Sequence, residues 1–100
     1  MTEAAIQKQC IEYLRAAGAL VWRMNSGTVR GSSGCPVRLA PAGTPDILAI
    51  DRLGQAWWIE VKKPNEKLRP AQVAMHEELV AHNQIVAVVH DLQELVALFD

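Results

Sequence analysis

The sequence predicts a single α/β domain whose elements follow the order αβββαβα. Apolar residues recur at helical spacing over residues 2–17, β-prone runs separated by turn residues follow between 19 and 62, and the apolar run 85–89 is typical of a fully buried strand. At 100 residues the chain can bury one hydrophobic core but not two independent ones. We therefore expect one domain over residues 1–100.

The composition excludes several classes of protein. Half of the residues are hydrophobic and 21% are charged, which is typical of a folded globular chain rather than a disordered one. No apolar run approaches the roughly 20 residues of a membrane span, so we expect a cytoplasmic protein. Cys10 and Cys35 lack the spacing of a zinc site and are interpreted as ordinary thiols. The three histidines carry a weak functional signal, because none has the i, i+4 spacing of a helical metal pair.

The charges are unevenly distributed, although the net charge is −1. All 10 Lys and Arg residues lie in residues 1–70, whereas residues 71–100 contain acidic but no basic residues. This asymmetry is compatible with one basic face that binds nucleic acid, or with chance in a small sample. The charge pattern alone does not decide between the two.

The first predicted helix spans residues 2–17, with Thr2 as its N-cap and Gly18 just beyond its end. Its predicted buried stripe consists of Ile6, Cys10, Leu14 and Ala17. A β-prone run at 19–24 follows. The next predicted connection, residues 26–44, is far longer than the usual four to six residues, and it contains Arg30 and Arg38 but no acidic residue. It is either a phosphate-binding segment or a surface excursion.

The second half of the chain alternates between strands and helices. Strands are predicted at 46–50 and 56–62, joined by a hairpin connection at 51–55 and paired antiparallel. A helix is predicted from Pro70 to Asn83, since proline suits the first helical position. The strand at 85–89 and a closing helix at 91–99 complete the order.

The predicted strand 56–62 carries an unusual pair of charges. Side chains alternate between the two faces of a strand, so Trp58, Glu60 and Lys62 point the same way, with Glu60 and Lys62 about 7 Å apart. Charges on a central strand are costly unless they are paired or bound to a ligand. The pair is either an exposed cross-strand ion pair or part of a functional site.

Two further acids favour a functional site. Asp46 opens the preceding strand, and the hairpin pairing would bring its carboxylate beside Glu60. Glu3 falls within the apolar stripe of the first helix. Its carboxylate therefore either reaches water because the start of the helix frays, or contacts a cation. Hard carboxylate oxygens suit Mg²⁺ or Mn²⁺, with phosphate and water in the open positions, and a lysine can orient water or stabilise developing charge. The pattern therefore predicts metal-assisted phosphodiester hydrolysis.

These motifs resemble a known family. Pro45-Asp46, followed after thirteen residues by Glu60-Val61-Lys62, resembles the PD-(D/E)XK nuclease signature. Together with Glu3 and Gln7 on the leading helix, the segment 23–27 after the first strand and Gln72 early in a later helix, the chain resembles the VRR-NUC family of virus-type replication and repair nucleases over essentially its whole length.

The resemblance implies a restriction-endonuclease-like mixed β-sheet core flanked by helices. It implies that Glu3, Asp46, Glu60 and the backbone carbonyl of Val61 bind Mg²⁺ or Mn²⁺. It also implies that Lys62 is catalytic together with Asp46 and Glu60, and that Gln72 supports the site. Arg69 stands where a serine N-cap would be expected, which leaves the start of this helix open.

The resemblance further implies a DNA endonuclease specific for branched structures. Stand-alone members resemble phage or bacterial homodimers, located in the host cytoplasm, that resolve four-way (Holliday) junctions during DNA repair. The residues expected to contact DNA are Arg23, Asn25, Arg30, Arg38 and Lys63. The alternatives are a nicking, flap or general duplex nuclease and a non-catalytic nucleic-acid-binding module. A small-ligand domain is less well supported, since no glycine-rich phosphate loop follows a strand and opens a helix.

Overall fold

The structure, a computed structural model, describes residues 1–24, 28–30, 34, 36–38 and 40–99. Within these ranges the elements are α1 (Glu3–Ala16), β1 (Leu20–Arg23), β2 (Thr28–Arg30), β3 (Pro36–Arg38), β4 (Ile47–Ile50), β5 (Ala56–Val61), α2 (Pro70–Ala81), β6 (Ile85–Val89) and α3 (Leu92–Phe99). None of the helices in these ranges is long and apolar enough to cross a membrane.

A mixed four-stranded sheet in the order β1–β4–β5–β6 forms the centre of the fold. The β1–β4 and β4–β5 pairs are antiparallel, whereas β5 and β6 run parallel. The parallel pair needs a crossover connection, which α2 supplies. The predicted α/β fold with a mixed sheet is confirmed, as is the antiparallel pairing of β4 with β5.

The predicted long connection at 26–44 is wrong in one respect, because it contains two short strands. β2 and β3 form an antiparallel pair in register from Thr28 opposite Arg38 to Arg30 opposite Pro36. This pair forms its own two-stranded sheet, separate from the central one. Each strand has three residues, which is too short for alternation of apolar and polar residues to reveal it.

Helix α1 begins and ends close to its predicted limits. The Thr2 hydroxyl accepts a hydrogen bond of 3.1 Å from the Ala5 amide, and Gly18 takes a positive φ just after the helix. Ala17, predicted to be buried, is instead the exposed C-cap, and its amide hydrogen-bonds to the Tyr13 carbonyl. Ile11 is buried in addition to the predicted residues, so the apolar face is wider than a single stripe.

The hydrophobic core lies between the sheet and the two helices α1 and α3. Its fully buried members on the sheet alternate along the strands, as expected for one face, and are Ile47, Ala49, Ile59, Val61 and Val89. Phe99 closes the core, with its ring centroid 5.2 Å from that of Trp57 and 6.3 Å from that of Tyr13. Burial of each large aliphatic side chain contributes roughly 1.5–3 kcal/mol to folding.

Helix α2 covers the opposite face of the sheet, where it contacts β6. It begins at Pro70, as predicted, although the N-cap position is occupied by Arg69. Arginine has no acceptor to cap a helix. The side chain of Gln72 takes over this task, and its Oε1 accepts a hydrogen bond of 2.8 Å from the Arg69 amide. The helix ends two residues before Asn83, which takes a positive φ of 63°.

Candidate active site

Asp46 lies directly before β4, and the hairpin register brings it opposite Glu60. Ile47 pairs with Ile59, so the next pair outward joins Asp46 and Glu60 at the ends of the two strands. The Val61 amide donates a hydrogen bond of 2.8 Å to Asp46 Oδ2, and the Met24 amide donates one of 2.7 Å to the Asp46 carbonyl. Contacts from β5 and from the end of β1 therefore hold both the carboxylate and the backbone of Asp46.

The segment before Asp46 fixes its entry into the sheet. The buried Thr44 hydroxyl donates a hydrogen bond of 2.6 Å to the Pro41 carbonyl, and Pro45 is fully buried. Gly43 has a φ of +85°, and a Cβ there would collide with the backbone carbonyl of Ala71 in α2. The Gly43–Asp46 segment is therefore packed against the first turn of α2 with no space for a side chain at its start.

Glu60 is a buried carboxyl group beside other acids, with 1% of its surface exposed. Burial raises its pKa to about 9, the hydrogen bond to Asp46 and the negative charges of Asp46 and Glu3 add to the rise, and the Lys62 ammonium opposes it. Such a group favours either a proton or a cation. Glu60 is thus the centre of an acid cluster that is unfavourable without a positively charged partner.

Lys62 and Glu3 lie at the edge of this acid pair. Lys62 is buried, with 6% of its surface exposed, and its Nζ lies 4.0 Å from Glu66 Oε2. Glu3 is half-buried, and its pKa is raised by burial, by a hydrogen bond with Glu66 and by the negative charges of Glu66 and Asp46. The start of α1 therefore approaches the ends of β4 and β5, as the predicted site requires.

The carboxylate oxygens at this site suit a hard divalent cation that is bound by few protein ligands. Among the residues that the structure describes, no group of three or more His, Cys, Asp or Glu side chains is arranged to hold a metal ion. Glu3 therefore does not join Asp46 and Glu60 in one closed ligand set. Mg²⁺ is commonly bound through one or two carboxylates plus water and substrate phosphate, so the Asp46–Glu60 pair fits it.

Val61 contributes backbone groups to the same place. In a strand, the N–H and C=O of one residue point to the same side. Because the Val61 amide faces Asp46, we expect its carbonyl to face Asp46 as well. The ligand role of this carbonyl stays a prediction. Gln72 caps the helix that packs on Gly43, so its predicted supporting role would act through the position of that helix.

The residues predicted to contact DNA are only partly described. Arg23, at the end of β1, and Lys63, just after Lys62, are exposed. Asn25 lies outside the described residues. Arg30 and Arg38 lie in β2 and β3, but their side chains are not among those described. The five residues therefore remain predicted DNA contacts.

One residue at the site was missed from the sequence. His76 of α2 is buried, and its Nε2 lies 3.2 Å from Glu60 Oε1. The i, i+4 spacing of a helical metal pair cannot reveal the function of a single histidine on a helix. The available signal was its position four residues after Gln72, since residues four apart share a helix face.

Comparisons with known proteins decide the family. One solved structure, described as a VRR_NUC domain, is similar to this chain with a TM-score of 0.73 and 30% identity, covering 96% of this chain and 91% of the other. The chain belongs to the VRR-NUC family. No family model and no curated protein matches it. The restriction-endonuclease-like fold is confirmed, and the chain is a VRR-NUC nuclease domain.

Proposed function

We propose that this VRR-NUC domain is a metal-dependent DNA endonuclease that hydrolyses phosphodiester bonds in branched DNA and resolves four-way junctions. The observation that carries the proposal is the buried carboxyl group of Glu60, which is hydrogen-bonded to the half-buried Asp46 and has the buried Lys62 nearby. A buried carboxyl group beside a second acid is costly without a proton or a cation.

Asp46, Glu60 and the Val61 carbonyl would hold Mg²⁺ or Mn²⁺. Glu3 forms no three-carboxylate site with Asp46 and Glu60 in this structure, so it would become a further ligand only if the first turn of α1 moved closer. The ion supplies a Lewis acid for the scissile phosphate and lowers the pKa of bound water. The chain supplies the orientation. The Val61 amide holds Asp46 Oδ2, so the carboxylate of Asp46 would already be oriented when a cation binds.

Lys62 acts on the reacting phosphate in this proposal. Its ammonium group, on a buried side chain, is held at 4.0 Å from Glu66, which is too long for a strong ion pair. The group can therefore donate to the attacking water or to a phosphoryl oxygen. A preorganised donor of this kind contributes roughly 3–4 kcal/mol to transition-state stabilisation.

Resolution of a four-way junction also requires two cuts. Each protomer offers one candidate site, and a four-way junction has near-two-fold symmetry, so we propose a C2 homodimer that presents two sites related by the same axis. Exposed apolar side chains on the edge strand β1, Leu20 and Trp22, are available for such an interface. A monomer that makes single cuts would instead be a nicking or flap nuclease.

The test compares a four-way junction, a flap and a plain duplex, each with Mg²⁺, Mn²⁺ or a chelator. We expect cleavage of the junction with metal and none with the chelator. Asp46→Asn and Glu60→Gln should abolish cleavage while leaving DNA binding intact, since each neutralises a ligand without removing a phosphate contact. Glu12→Gln, at an exposed position of α1, is the matched control and should cleave normally.

Two results would contradict the proposal in different ways. Full cleavage by Asp46→Asn or Glu60→Gln would overturn the assignment of the ligands. Equal cleavage of duplex and junction would keep the metal-dependent nuclease but overturn its preference for branched DNA.

A further inference from the structure

Helix α2 buries a histidine more completely than any of its apolar residues. All of its residues are described, and the single buried one among them is His76, with 9% of its surface exposed. Val73 and Val80 of the same helix are exposed. A helix that only packs against a sheet buries its aliphatic side chains first. Met75 and Leu79 are half-buried, so a histidine is the most deeply buried residue of this helix, which indicates a specific task at that position.

The partner of His76 is the buried carboxyl group of the candidate site. His76 Nε2 lies 3.2 Å from Glu60 Oε1, at the long end of the hydrogen-bonding range. Both groups are buried, and Glu60 is also hydrogen-bonded to Asp46. Glu60 therefore lies between Asp46 on the neighbouring strand and His76 on the helix above the sheet.

This arrangement restricts the orientation of the Glu60 carboxyl group. The contact of Oε1 with His76 and the hydrogen bond with Asp46 together limit the rotation of the Glu60 carboxyl group. Groups that hydrogen-bond to metal-ligating carboxylates orient the ligand and tune its affinity, and their loss commonly lowers metal affinity or activity by 10- to 100-fold. A carboxylate can only accept, so His76 must donate from Nε2 when Glu60 is charged.

The position of the histidine is itself fixed by its helix. The first turn of α2 is capped by Gln72 and is packed against Gly43, which precedes Asp46 by three residues. His76 lies one turn after Gln72, so the same contacts that locate Asp46 also locate His76. A rigid support is what a positioning residue needs in order to hold a ligand within about 0.5 Å.

We propose that His76 is a positioning residue that donates a hydrogen bond from Nε2 to Glu60 and thereby orients this carboxylate for binding a divalent cation. The role rests on the proposed metal-dependent function. Its chemistry is tested by metal binding to the protein alone, without DNA.

The test compares His76→Leu with His76→Gln by isothermal titration calorimetry with Mn²⁺. Leucine retains apolar volume but cannot donate, whereas the glutamine amide can reach about as far as Nε2 and donate. We expect His76→Leu to bind Mn²⁺ roughly 10- to 100-fold more weakly and His76→Gln to stay within about threefold of the unaltered protein. His82→Leu, at an exposed histidine near the end of α2, is the matched control and should bind normally.

A spectroscopic measurement on the unaltered protein guards against a variant that fails to fold. Long-range ¹H–¹⁵N correlation spectra in saturating Mg²⁺ report which ring nitrogen carries the proton. We expect His76 Nε2 to be protonated. A ring protonated at Nδ1 alone would overturn the proposal, as would normal Mn²⁺ affinity in a folded His76→Leu protein or equal losses in the Leu and Gln variants.

The failure of this role is distinguishable from the failure of the proposed function. A protein that binds Mn²⁺ but cleaves no DNA would overturn the nuclease proposal and leave the His76 role supported by calorimetry. A protein that binds neither Mn²⁺ nor Mg²⁺ would overturn both.

Discussion

Glu60 shows how one side chain links folding to chemistry. Its pKa is raised to about 9 in the folded protein, first by burial and then by Asp46, whereas an exposed glutamate has a pKa near 4.5. Without a cation, the folded chain retains a proton at this position over a range of pH in which the unfolded chain has released it. The site therefore makes the stability of the metal-free protein depend on pH.

The sign of this dependence follows from proton binding. Since the folded state binds more protons at Glu60 than the unfolded state, the contribution to stability is complete below pH 4.5 and is lost as the pH rises toward 9. We expect the urea midpoint of the chelated protein to fall more steeply between pH 5 and 9 than that of Glu60→Gln. Parallel pH profiles for the two proteins would contradict the raised pKa.

At this scale the contact between Asp46 and Glu60 was predictable from the sequence, because hairpin pairing brings the two residues together. The strand β5 ends at Val61, so the shared face of Glu60 and Lys62 stays a prediction. The spacing of His76 from Gln72 could indicate a shared helix face, but the contact of His76 with Glu60 could not be predicted, because it depends on how α2 lies across the sheet. The side-chain cap by Gln72 was likewise hidden by the arginine at the N-cap position.

At the scale of elements, Gly43 joins the segment before β4 to the start of α2. Its φ is positive and its Cβ position is occupied by the backbone of Ala71, whereas Gly54 has a similar φ of +84° in open space. Substitution of Gly54 therefore tests backbone strain alone, whereas substitution of Gly43 tests backbone strain together with a steric clash.

We expect Gly54→Ala to cost about 1–2 kcal/mol through backbone strain alone and Gly43→Ala to cost roughly 2–5 kcal/mol, since overpacking against α2 is added. Thermal unfolding should show a melting temperature clearly lower for Gly43→Ala than for Gly54→Ala. Equal shifts would mean that the segment and the helix are not packed as tightly as described.

The β2–β3 pair is the element that the sequence did not predict. Its strands are too short for a periodic pattern, and the glycine, serine and proline residues around them favoured a loop. The expectation that this segment approaches phosphates stays a prediction. The pairing of Thr28 with Arg38 brings the two strands of the segment together.

We expect the double variant Arg30→Ala, Arg38→Ala to bind DNA more weakly and with a flatter dependence on salt, because each lost phosphate contact reduces counterion release. Affinity measured at several salt concentrations gives the slope. Arg52→Ala, at an exposed position in the β4–β5 turn, serves as a control with the same change of charge per residue. An unchanged salt dependence in the double variant would indicate that β2–β3 is a surface excursion that does not bind phosphates.

At the scale of the whole molecule, the order of elements was predictable because the long helices and buried strands have clear periods. The parallel pairing of β5 with β6 follows from the helix between them. The order of strands in the sheet does not follow from periods, since β1 could have paired at either edge. The assembly of two protomers is a further step, which depends on surface complementarity rather than on local pattern.

The proposed homodimer is tested by sedimentation at micromolar concentration. We expect a dimer, and we expect Trp22→Glu to shift it toward monomer, since a charge on the exposed edge strand opposes burial. The control is Leu53→Glu, at the exposed β4–β5 turn. Thr2→Glu is unsuitable because it alters the cap of α1. A strict monomer that still makes paired cuts in one junction would refute the dimer.

The β4–β5 turn lies at the far end of the hairpin from the acids, yet it governs whether they meet. Asp51 accepts hydrogen bonds from the Leu53 and Gln55 amides and from Trp57 Nε1, and it thereby sets the number of residues in the turn. A slip of one residue in an antiparallel pair turns every side chain to the other face. A substitution of the exposed Leu53 would therefore leave this register unchanged, whereas an insertion or deletion in the turn would move Asp46 away from Glu60 without altering either residue.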